Sequence, residues 1–122
     1  MPIVEVEVVC RAESDFRRFS PMALADALGR IFGSRPGTAW VKLRFLSASR
    51  YAENEATLGS GELPAFVSVL HARVPDEETL AAEAKAVTEA VASWVGRPSE
   101  RVHVRYEPPA AGRQAFGGNL VR

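Results

Sequence analysis

The strongest constraint on this chain is that it is written twice. Pro64 lies 62 positions after Pro2, Arg73 62 after Arg11, Trp94 62 after Phe32, and Arg97 62 after Arg35. After a slip of one residue, Val41-Lys42-Leu43-Arg44-Phe45 finds its counterpart 61 positions on, in Val102-His103-Val104-Arg105-Tyr106. Self-similarity at a fixed spacing marks a repeated supersecondary unit, and two copies restrict the chain to folds with an internal twofold plan.

Each copy reads strand, helix, strand. Ile3 to Val9 alternates, with Val4, Val6 and Val8 set against Glu5 and Glu7, the period of a half-buried strand. Its counterpart is the run AFVSVLHAR from Ala65 to Arg73. A helix is expected after Ser20-Pro21, a cap residue followed by proline at the first helical position. Leu24, Leu28, Ile31 and Phe32 form its apolar stripe, and Gly33 is its stop. A second helix is expected after Pro75-Asp76-Glu77-Glu78, where the acids suit the positive end of the helix dipole. Leu80, Ala84, Val87, Val91 and Trp94 carry its period, and Gly96-Arg97-Pro98 ends it. The polar stretch Tyr51 to Glu55 reads as a loop or a short edge strand.

Parallel strands need a crossover of a dozen or more residues, which each helix supplies. The economical architecture is therefore α/β (α+β): two tandem βαβ units, 1–61 and 62–122, in one domain and one sheet, with both helices on one face. The opposite face would be left uncovered, with many apolar residues on it, so self-association is expected.

Composition narrows the function. Fifteen basic residues balance fifteen acidic ones, so no net charge draws the molecule to nucleic acid or an anionic membrane. Cys10 is the lone cysteine, which rules out an internal disulfide and a cysteine metal cluster. It lies on the Val4-Val6-Val8 face and reads as a small buried residue. No apolar run approaches the ~18 residues of a membrane span, and the start has no basic leader, so a cytoplasmic location is expected. Phosphate loops, dinucleotide fingerprints, zinc-spaced histidines and nucleophile elbows are absent, and no cofactor or metal is expected.

Most chain ends fray. This one enters a strand directly after Met1-Pro2. A proline-led βαβ unit of about sixty residues, doubled in one chain, resembles the tautomerase superfamily. That superfamily includes 4-oxalocrotonate tautomerase, 5-carboxymethyl-2-hydroxymuconate isomerase, macrophage migration inhibitory factor and malonate semialdehyde decarboxylase. MPIVEVEVV resembles the family's opening, RPSERVHVRYE its later strand, and AAGRQAFGGNL its glycine-rich closing hairpin. LPAFVSVLHAR resembles the long central strand of double-length members, with Arg73 where the decarboxylase-like branch carries a substrate arginine.

The resemblance implies a homotrimer and a small anionic keto or enol acid as substrate. It also implies that Pro2 is the general base or acid, once removal of Met1 exposes its secondary amine. Keto–enol exchange needs a base unprotonated at neutral pH and a cation to hold charge on oxygen. Apolar burial and nearby cations both disfavour an ammonium ion, and arginine grips carboxylates with two bonds. Arg73 is the expected carboxylate anchor. Arg11, its repeat partner, is expected to serve a neighbouring subunit. Lys42 and His103 occupy strand positions resembling those where the family places charge-stabilising groups, and Arg35 lies near a substrate lysine of the cytokine-like branch. Phe116, before Gly117-Gly118, is a candidate apolar wall or an interface plug. His71 shares a face with Val67 and Val69 and reads as a core or interface histidine.

One departure bears on the reaction. The decarboxylase and dehalogenase branches use an acidic residue near the proline, and Pro36-Gly37-Thr38-Ala39-Trp40 has none. Tautomerisation is thus the expected activity. Decarboxylation or hydration of a three-carbon acid and non-catalytic binding are the alternatives, with Glu5, Glu53 and Glu107 as the acids still open.

Overall fold

The computed structural model describes residues 1–122. Strand β1 (Ile3–Cys10) leads through a one-turn helix α1 (Glu13–Phe16) into α2 (Pro21–Phe32) and β2 (Trp40–Ser47). The second half runs β3 (Ala65–Leu70), α3 (Glu77–Val95) and β4 (Val102–Tyr106), closing with the short strands β5 (Ala115–Phe116) and β6 (Asn119–Leu120). Single 3-10 turns lie at Ala48–Arg50, Ser60–Glu62 and Ser99–Arg101.

The expected twofold plan is present. The sheet order is β2-β1-β3-β4, parallel within each half and antiparallel where β1 meets β3. In register, Val4 faces Val41 and Val69, and Val6 faces Leu43 and Val67. Val4, Val6, Val67 and Val69 are buried with Leu24 and Leu28 of α2 and Val87 and Val91 of α3, which places both long helices on one face. The Trp94 indole donates to the Ser20 carbonyl at 2.9 Å and its ring packs on Phe19, tying the end of α3 to the start of α2.

Helix ends follow the local sequence. Ser20 accepts from the Ala23 amide at 3.1 Å, a cap worth about 1 kcal/mol, and Asp76 caps the next helix, accepting from the Thr79 amide at 2.8 Å. The Thr79 amide and hydroxyl hold the Asp76 carboxyl below its usual range. Gly33 and Gly96 close the helices at φ of 64° and 70°, a region costly for any residue with a Cβ. No helix is long and apolar enough to cross a membrane.

The structure differs from expectation in three places. The strand expected to reach Arg73 ends at Leu70, where its pairing with Ile3 of β1 ends. The carbonyls of His71 and Ala72 accept instead from the amides of Ala110 and Ala111. Helix α1 has no apolar period to announce it. Finally, the helix-free face is charged along its middle rather than apolar. Lys42 bonds Glu5 at 2.8 Å, Arg44 stands beside Glu7 in register, and Arg105 reaches Ser68 at 3.2 Å and Glu107 at 3.1 Å. Apolar side chains hold only the ends of that face: Ile3 and Leu70 at one, Leu46 and Phe66 at the other.

Candidate active site

Pro2 is buried at the head of β1, where its carbonyl accepts from the Trp40 amide at 3.1 Å. The loop before β2 wraps this terminus. The Met1 ammonium donates to the Thr38 carbonyl at 2.9 Å, the Thr38 hydroxyl to the Arg35 carbonyl at 2.6 Å, and the Trp40 indole to the Gly37 carbonyl at 2.9 Å. Phe116 arrives from the closing hairpin and meets Trp40 edge to face, centroids 5.2 Å apart. That hairpin turns on Gly117 and Gly118, both at positive φ, as a two-residue turn compatible with strand twist requires. Phe116 therefore stands at the proline end of the sheet, against the Trp40 ring.

The internal repeat gives Arg35 meaning. Its counterpart Arg97 donates from Nη1 to the carbonyls of Leu63 and Pro64, at 2.9 and 3.1 Å, sealing the head of β3. Arg35 lies in the loop that wraps Met1 and Pro2, but it is exposed and its guanidinium has no hydrogen bond or ion pair. Arg73 is likewise exposed and unpaired, two residues beyond the point where the register sets β3 against Pro2. Two free guanidinium groups thus flank the end of the sheet that carries the proline.

The remaining candidates lie elsewhere. Lys42 is on the helix-free face, two residues into β2, and is committed to Glu5, whose carboxyl it holds below the usual range chiefly through their hydrogen bond. Arg11 is at the opposite end of β1, donating to the Ser60 hydroxyl at 3.1 Å and the Leu58 carbonyl at 3.0 Å. His103 stands two strands over from β1, level with Glu7, packed on Phe66, which also contacts Tyr51. A shallow depression of about 450 Å³ opens there, with His103, Arg105, Tyr51 and Glu7 on its walls. Eight residues of β1 at ~3.3 Å each separate the two ends by about 25 Å. Within one chain, Arg11 and His103 cannot reach Pro2.

Sequence reasoning missed a cluster on the helix side of the sheet. Glu83 of α3 accepts at one oxygen, Oε2, from both the His71 ring, 2.7 Å away, and the Tyr106 hydroxyl at 2.8 Å. His71 lies face to face with Tyr106 and edge-on to Phe32. Burial and then the Glu83 carboxylate push the Tyr106 phenol well above its ordinary range. Tyr51 is also raised, by burial first and by its bond to Glu53 second. Both phenols are therefore held neutral by folding. That contribution to stability is present below the unfolded tyrosine pKa near 10 and is lost as pH rises through the folded values. An ultraviolet titration should show both phenols ionising at higher pH in the folded protein than in denaturant, Tyr106 by the larger margin.

No group of three or more metal-ligating side chains is present. No family model matches the chain, and no curated protein matches it. Solved structures do. The chain has the tautomerase fold, as the doubled proline-led unit leads one to expect. A crystal structure of Pt0534 inactivated by 2-oxo-3-pentynoate aligns with a TM-score of 0.76 at 18% identity, covering 98% of this chain and 94% of the other. A fused 4-OT wild-type symmetric trimer aligns at 0.74 and 18% identity, with 98% and 94% covered. Macrophage migration inhibitory factor from Oncomelania hupensis aligns at 0.73 and 18% identity, with 99% and 82% covered. At these identities the likeness is one of fold.

Proposed function

We propose that the protein is a cofactor-independent tautomerase, exchanging enol and keto forms of a small carboxylate-bearing substrate with Pro2 as the proton carrier. The observation that carries this reading is the juxtaposition at one end of the sheet: a buried terminal proline, an aromatic wall of Trp40 and Phe116, and the unpaired Arg35 and Arg73. Freed of Met1, Pro2 has a secondary amine whose apolar surroundings and neighbouring cations disfavour the ammonium form. The amine takes a proton from the substrate hydroxyl and returns it to carbon, while an arginine anchors the carboxylate. Lys42, tied to Glu5, is a weaker anchor than either arginine.

Decarboxylation or hydration needs an acid beside the proline. Glu5 is bound to Lys42, Glu107 to Arg105, and Glu53 lies with Arg101 and Tyr51 at the far end. This favours proton transfer alone. Self-association as a homotrimer fits the fused 4-OT neighbour, itself a trimer. It also gives Arg11 and His103 a use, at the proline of an adjacent copy.

The test is ultraviolet-monitored ketonisation of an aryl enolpyruvate and of 2-hydroxymuconate, by the chain beginning at Pro2 and by the chain retaining Met1. Retained methionine makes the proline nitrogen a non-basic amide, so activity is expected only in the first. Equal rates, or none in either, would sink the reading and favour a binding role.

A further inference from the structure

The His71–Glu83–Tyr106 cluster has no part in the reaction described above, yet the sheet register brings it to the proline. β1 and β3 pair antiparallel with Ile3 opposite Leu70 as the last pair, so Pro2 and His71 are the residues that flank the end of this ladder. Pro2 is buried in step with Val4, and His71 reaches Glu83 of α3, so both lie toward the helices. Neighbours across the end of such a ladder lie within about 5–8 Å. His71 is not free to turn away. Glu83 fixes its Nε2, Tyr106 stacks on one side and Phe32 meets its ring edge-on. The His71 and Glu83 side chains are only 14% and 12% exposed, so solvent screens their charges weakly.

Resting on the reading of Pro2 as a free amine, we propose that His71 and Glu83 are positioning residues that set its proton affinity across the β1–β3 pairing. The Glu83 carboxylate favours the ammonium form of Pro2. The His71 ring, whose N–H that carboxylate accepts, offsets part of its field. The other groups facing His71 do not interfere. Tyr106 of β4 remains a neutral phenol, Phe32 of α2 has no charge, and Arg73, just beyond in the chain, keeps a fixed positive charge that does not change with pH.

The experiment follows carbamoylation of Pro2 by cyanate in the Met1-free chain, across about pH 5 to 10, by mass of the N-terminal peptide. Charges ~8 Å apart at an effective dielectric of ~20–40 predict shifts of about one pH unit. Glu83→Gln should lower the midpoint by about that much, and His71→Gln should raise it, because Glu83 then acts alone. Tyr106→Phe changes no charge and should leave the midpoint nearly unmoved. Opposite shifts in the first two variants support the inference, since simple loosening would move both alike. Shifts of one sign, or none, overturn it. If His71→Gln does not fold, Glu83→Gln against Tyr106→Phe decides: a shift in the first alone supports the inference, and equal behaviour overturns it. Carbamoylation needs no turnover. Unmoved midpoints in a chain whose activity depends on Pro2 overturn this inference alone, whereas opposite shifts in an inactive chain leave it standing and overturn the tautomerase reading.

Discussion

Pro2→Ala, in a chain freed of Met1, is expected to lower kcat/KM for ketonisation by about 10²- to 10⁴-fold, the usual worth of a positioned base. Alanine keeps a terminal amine but loses the ring that β1 holds against its neighbours, so the nitrogen is no longer fixed in one direction. The loss should appear mainly in kcat, because the groups proposed to hold the carboxylate, Arg35 and Arg73, are untouched. Steady-state kinetics beside a far-ultraviolet spectrum make the check. A change below threefold with the fold intact would remove Pro2 from the chemistry.

Leu28→Ala should be the most damaging single change to the fold, costing about 2–5 kcal/mol. Leu28 is fully buried on the inner stripe of α2, in the cluster that joins the central valines of β1 and β3 to Val87 and Val91 of α3. Truncation removes apolar surface from that cluster and leaves a cavity that strands on one side and helices on the other cannot readily close. In a domain of this size the midpoint temperature should fall by roughly 10 °C or more. Urea unfolding with an unchanged slope and a lower midpoint would confirm lost native stability, while a cost under about 1 kcal/mol would mean that α2 is not seated as described.

Much of this fold was written in local signals. Ser20-Pro21, Asp76, Gly33 and Gly96 bound the helices through bonds and backbone angles that depend on a few adjacent residues. The repeat spacing identified the two halves and paired Arg35 with Arg97. What spacing does not contain is the order of strands. β1 itself carries Arg11 to the end opposite Pro2, but the antiparallel meeting of β1 and β3 sets His103 level with Glu7, and only pairing across the sheet decides that. Glu83, His71 and Tyr106 sit on three different elements, and nothing in their numbers foretells one oxygen shared by two donors. The charged middle of the helix-free face is another matter. Glu5 and Glu7 alternate with the buried valines, as Lys42 and Arg44 do with Val41 and Leu43, so that polarity was legible from period alone.

Pro64 repeats Pro2 in position and in burial, at the head of its own strand. Being internal, its nitrogen is bound in an amide that no processing step can free without cutting the chain. Arg97 closes over it, reaching the Cys10 sulfur at 3.4 Å as well as the two carbonyls. On the reading proposed for Pro2, the second half keeps the shape of the first without its reactive atom. Doubling the unit halves the density of reactive centres: an assembly of a given number of βαβ units has one amine for every two. A reagent that consumes the terminal amine should reach its end point at one equivalent per chain.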